Sequence, residues 1–132
     1  MKKLVLISVF MLSGCSTLLE AYLMKYDPNE YAQITGIRTA AGQGKTTCDN
    51  EIAAKEHADQ IAKQTVMFKN YVQYLPHNSK VISASAELNS MAQGLTTQYQ
   101  KGKVSVVFCK IKFENIEKSA ETMQQTIGAK PR

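Results

Sequence analysis

Few residue sets in this chain are of types and spacings that could do chemistry. Gly42-Gln43-Gly44-Lys45-Thr46-Thr47 ends like a phosphate-binding loop, in which backbone amides and a lysine cradle a nucleotide's phosphates. That loop needs a glycine five residues before Gly44, where Thr39 stands, and a strand ahead of it, where a helical pattern stands. The segment therefore reads as a flexible turn with Thr47 as the cap of the next helix, and no nucleotide is expected. A serine nucleophile lacks its Gly-x-Ser-x-Gly elbow. His57, between Glu56 and Asp59, reads as a residue of a solvated helix face, and His77, after Pro76, as an exposed turn residue. Neither shares a metal-ligand spacing with a cysteine, so no metal is expected. Glu87, Glu114, Glu117 and Glu121 could be composed into a carboxylate pair for glycoside chemistry, but any helical surface supplies such pairs. No catalytic residue and no cofactor follow, and the chain is read as a non-enzyme.

The elements that would carry these residues are helical. Asp27-Pro28-Asn29-Glu30 has the form of a capping box, with aspartate at the cap, proline at the first helical position and glutamate three residues on. It opens a short helix with Tyr31, Ile34, Ile37 and Ala41 on one face, expected to stop near Gly42-Gln43-Gly44. Ala54, Ala58, Ile61, Thr65, Phe68, Val72 and Leu75 recur at threes and fours, a long amphipathic helix ended by Pro76. Asn78 or Ser79 is the expected cap of the next helix, which carries Val81, Ala84, Leu88, Met91, Leu95 and Tyr99. Lys101-Gly102-Lys103 makes a turn. Val104 to Phe113 is β-branched and aromatic enough to read as a strand. Yet Cys109, Phe113, Ile116, Ala120, Met123 and Ile127 keep the helical period, and no partner strand is evident. The expectation is a helix from about Val104 to Ile127, stopped by Gly128, with Lys130-Pro131-Arg132 as a tail. The fold class is all-α: a small antiparallel up-down-up bundle of three long helices plus the short N-terminal helix. Met67, Phe68, Tyr71 and Tyr74 exceed what one stripe buries, and the short helix is expected to cover them rather than leave an aromatic patch.

The first residues carry a different signal. Lys2 and Lys3 precede an apolar run from Leu4 to Leu12, the pattern of a secretory leader and too short for a permanent membrane span. The run ends in Leu12-Ser13-Gly14-Cys15, which resembles the lipobox of bacterial lipoproteins. The resemblance implies that Cys15 takes a diacylglycerol on its sulfur, that residues 1–14 are removed as a signal peptide, and that the new amine is acylated, palmitate being one such chain. Several acyl chains anchor a protein stably where one does not. In a Gram-negative host Ser16, in place of the aspartate that tends to hold such proteins at the inner membrane of enteric-type bacteria, implies an outer-membrane lipoprotein facing the periplasm. In a Gram-positive host the same leader would leave the body outside the cytoplasmic membrane. Residues 15–26 then form a lipidated anchor segment, in which Leu18, Leu19, Tyr22, Leu23 and Met24 could lie against the membrane or the body. Residues 27–132 form the bundle domain.

With Cys15 assigned to lipid, Cys48 and Cys109 remain as an even pair in an exported protein, and a disulfide is favoured over free thiols or a metal. In an up-down-up bundle the first and third long helices run parallel, so both cysteines fall at one end and the bridge is geometrically sensible. Two of the sixteen basic residues leave with the leader, so the formal charge of +5 falls to +3. That charge is dispersed and not interleaved with stacking aromatics, which argues against nucleic acid. The expected function is a lipid-anchored periplasmic envelope protein working by protein–protein contact in assembly, stabilisation or scaffolding, with an unidentified envelope partner. Size, leader and helical body are also loosely similar to small phage-borne lipoproteins that act in host lysis or exclusion, such as outer spanins. Outer spanins are often proline-rich, and the three prolines here count against that version. A wall-modifying enzyme is the remaining alternative.

Overall fold

The computed structural model describes residues 23–132. Residues 1–14, read above as a signal peptide, lie outside the described residues, as do Cys15, Leu18, Leu19 and Tyr22. Four helices follow in order: α1 (Pro28–Thr46), α2 (Glu51–Val72), α3 (Ser79–Lys101) and α4 (Val106–Gly128), with no strand among the described residues. Each packs on its sequence neighbours, and α1 also packs on α4, so the four close into a ring.

Directions follow from the cross-contacts. Thr35 and Arg38 reach Gln124, Lys45 reaches Glu117, and Cys48 is bonded to Cys109, so α1 and α4 are antiparallel. Thr65 meets Asn89 while the Ala62 carbonyl accepts from Gln93, so α2 and α3 are antiparallel. Tyr71, in the last turn of α2, bonds Asp27 at the start of α1. The expected up-down-up order of the three long helices holds, and short connections enforce it. The N-terminal helix is a full fourth member: its 19 residues run through Gly42 and Gly44 to Thr46, beyond the expected stop.

The helical stripes become the core. Ala54, Ala58, Ile61, Thr65, Phe68 and Val72 of α2 are buried, as are Cys109, Phe113, Ile116, Ala120, Met123 and Ile127 of α4. On α1, Ile34, Ile37, Ala40 and Ala41 face inward. On α3, Ser85 and Ala92 take buried positions expected of Ala84 and Met91, which are half-buried beside them. Leu75 falls outside α2, in the turn.

Caps explain the boundaries. The Asp27 carboxylate accepts from the Glu30 amide (2.8 Å), and Pro28 occupies the first helical position. The cap of α2 is Asn50, accepting from the Ala53 amide, and not Thr47, whose hydroxyl turns back to the Gly44 carbonyl. Ser105 caps α4 through the Phe108 amide, so the β-branched run Val104 to Phe108 leads into helix. Gly102 ends α3 at φ 148°, a conformation that only glycine adopts without strain.

Candidate functional site

The bundle has two unlike ends. At the first, the chain enters α1 beside the last residues of the sequence: the Tyr26 amide donates to the Pro131 carbonyl at 2.8 Å. Here lies a buried polar cluster. Lys130 Nζ donates to Glu30 Oε2 (2.6 Å) and to Asn78 Oδ1 (2.8 Å), while Asn78 Nδ2 donates to Glu30 Oε1 (2.7 Å). Both carboxylate oxygens and both ends of the amide are satisfied, as burial of such groups demands. The Glu30 and Lys130 side chains are 0% and 3% exposed. Lys130 is therefore not part of a free tail: it closes the core under the α2–α3 turn. Glu30 does not reach back to complete the capping box, because its carboxylate is committed to Asn78 and Lys130. Asn78 stands at the cap of α3 but makes no capping bond, its side chain being spent in the same cluster.

Beside the cluster, the Tyr71 hydroxyl donates to both oxygens of Asp27 (3.1 Å each). Burial raises the Tyr71 pKa above the ordinary phenol value, and the Asp27 carboxylate adds to the rise. Phe68 is fully buried, while Met67 and Tyr74 stay 66% and 82% exposed. Of the four residues expected to lie under α1, the structure thus covers Phe68 and half of Tyr71 and leaves Met67 and Tyr74 outside. His77 is exposed at φ 56°, in the left-handed region, where it turns the chain into α3.

A polar seam joins α1 to α4. Arg38 donates to Glu121 (2.7 Å) and Gln124 (2.9 Å), and Gln124 donates onward to Thr35 (2.8 Å) and Tyr31 (3.2 Å). Lys45 meets Glu117 at 2.6 Å, and this bond raises the lysine pKa. Glu114 is held below the usual carboxylate range by its hydrogen bond to Lys118, one turn along. Glu114, Glu117 and Glu121 are therefore each bound to a cation, and Glu87 stands apart on α3. The glycines and lysine of the phosphate-loop-like segment lie within the last turns of α1 rather than in a turn. The reason is packing: a Cβ on Gly44 would stand 2.4–2.8 Å from the buried Phe113 ring, so glycine permits the close approach of α1 and α4.

The second end holds the Cys48–Cys109 disulfide, with Cα atoms 5.8 Å apart and 61 residues of separation. It ties the α1–α2 connection to the first turn of α4. This end carries exposed aliphatic side chains that sequence reasoning missed: Ile52 on α2, and Val106, Val107 and Ile111 on α4. Their signal was their position off the buried stripe of their own helix, Ala54–Val72 for Ile52 and Cys109–Ile127 for the other three, which leaves them no core to enter. His57, read as solvated, is half-buried, and its Nδ1 lies against the protein without a hydrogen bond. No group of three or more histidine, cysteine or acidic residues is placed to hold a metal among the described residues, and no described helix is long and apolar enough to cross a membrane. No family model, curated protein or solved structure matches this chain.

Proposed function

We propose that this protein is a lipid-anchored outer-membrane protein that faces the periplasm and acts by binding another envelope protein, without catalysing a reaction. The observation that carries the reading is the Cys48–Cys109 disulfide. Such bonds persist in oxidising compartments outside the cytoplasm, which is where a leader cleaved before Cys15 would send the chain. The polarity of the bundle supports the binding role. Helices of some 22 residues span about 33 Å, and that length separates the end where the anchor segment joins from the disulfide end, where Val107 and Ile111 are 69% and 51% exposed. A body tethered at one end and carrying exposed aliphatic side chains at the other is suited to hold a partner away from the membrane.

Two measurements test the two halves. Cys15→Ser should abolish metabolic palmitate labelling and leave the leader uncleaved; labelling at the wild-type level overturns the anchor. A photo-crosslinking residue at position 107 or 111 should give a discrete adduct in intact cells, and one at position 63 on the flank of α2 should not. Absence of any adduct at 107 and 111 overturns the binding role.

A further inference from the structure

We infer that the anchor-proximal end of the bundle is itself a membrane-docking surface, which seats on the headgroups of anionic phospholipid. The inference rests on the proposed lipid anchor and names what that end of the body touches.

Charge is the first argument. Lys25 precedes α1, Lys69 lies in the last turn of α2, Lys80 in the first turn of α3, and Arg132 follows α4. All four are exposed, although they come from four separate stretches of the chain. Arg132 is held at this end by its guanidinium over the Tyr26 ring, 5.2 Å from the centroid. The acidic side chains here are withdrawn from the surface. Glu30 is buried and neutralised by Lys130, and Asp27 is half-buried, capping α1 and accepting from Tyr71. Glu30 and Lys130 cancel one another inside the protein, so the outer face carries Lys25, Lys69, Lys80 and Arg132 against the half-buried Asp27. Each lysine or arginine at an anionic lipid surface contributes about 1 kcal/mol of attraction, a factor of about five.

Geometry is the second argument. Seven residues separate Cys15 from Leu23, so the described chain begins within about 28 Å of the acylated sulfur even when the tether is fully extended. This end is thus the one kept near the bilayer. Tyr74 stands 82% exposed and Leu23 39% exposed on it, and a tyrosine ring with an apolar body and a polar tip suits the headgroup layer. Soluble acidic protein could also meet four cations, but the short tether favours lipid.

The test uses the mature protein as its native host processes it, reconstituted into phosphatidylcholine vesicles with or without about one third phosphatidylglycerol, an anionic lipid. Amine reactivity of each lysine is read by brief acetylation and mass spectrometry, and vesicle flotation is read in parallel. In anionic vesicles Lys25, Lys69 and Lys80 should react about fivefold more slowly than in neutral ones. Lys101 and Lys103 at the other end should not change. The protection should vanish at about 0.5 M salt, where screening acts over a few ångströms. Lys69→Glu with Lys80→Glu should remove the protection of Lys25 while circular dichroism stays unchanged; protection that persists overturns the surface. Flotation with both vesicles without selective protection overturns docking and leaves the acyl anchor standing. Flotation with anionic vesicles alone supports the basic surface and overturns the anchor. Flotation with neither overturns both.

Discussion

Lys130 Nζ lies 2.6 Å from Glu30 Oε2 across 100 residues of sequence, in a site closed to solvent on both sides of the bond. Asn78 bridges the same two groups, so the start of α1, the α2–α3 turn and the residues after α4 meet in one cluster. Removing one charge leaves the other buried and unpaired, which costs about 3–5 kcal/mol. Lys130→Met should therefore destabilise the protein by that amount in denaturant titration. Glu30→Gln with Lys130→Met should cost less than the two single changes together. Additive losses would mean that the two groups do not act as a pair.

Gly44 and Gly94 make an internal control on helix packing. A Cβ at Gly44 meets the fully buried Phe113 ring, whereas one at Gly94 meets nothing within 4 Å. Gly94→Ala should stabilise by up to about 1 kcal/mol through helix propensity. Gly44→Ala should destabilise by about 1–3 kcal/mol, because overpacking exceeds that gain. A Gly44→Ala protein as stable as Gly94→Ala would show that α1 and α4 approach less closely than described.

These two sites also mark where sequence reasoning succeeds and where it stops. The stripes of α2 and α4 were legible because burial of one helical face imposes a period of threes and fours, and every expected α4 position from Cys109 to Ile127 is buried. The capping signal at Asp27-Pro28 was legible because it is local. Gly42 and Gly44 read as a stop in the sequence yet lie inside α1, since a glycine that ends a helix and one that admits a neighbouring helix look alike in one dimension. Asn50 caps α2 where the sequence points to Thr47, because both are capping types and composition does not choose between them. Lys130 carried no local signal, for its partner is 100 residues away. The exposed Val107 and Ile111 belong to no period, so only the placement of the stripe shows them as surface.

The disulfide should be fully formed in protein isolated from its native envelope. Alkylation under denaturing, non-reducing conditions should then leave Cys48 and Cys109 unmodified. Two modified cysteines would contradict the bridge. A crosslink across 61 residues is worth about 4 kcal/mol by the chain-entropy account. Cys48→Ala should cost about 2–4 kcal/mol, expose one thiol at Cys109 and keep the helical circular dichroism, since the four stripes close a core without it.

Alkaline pH should weaken the fold through three groups. Burial raises the pKa of Tyr71 and of Tyr99, and the Glu117 hydrogen bond raises that of Lys45. A group whose pKa is raised by folding contributes stability that is complete below its unfolded value and is lost as pH climbs through the folded one. The unfolded values of tyrosine and lysine lie at about 10 to 10.4. Stability should therefore be flat in this respect up to about pH 10 and fall above it. Tyrosine ionisation, followed by ultraviolet absorbance, gives the direct readout. Tyr71 and Tyr99 should ionise above the ordinary phenol value, in a late step that coincides with loss of helix. Tyr71→Phe and Tyr99→Phe should each diminish the late step. A single step at the ordinary phenol value, with the helices still intact, would show that neither ring is shielded and that Asp27 does not hold the Tyr71 proton.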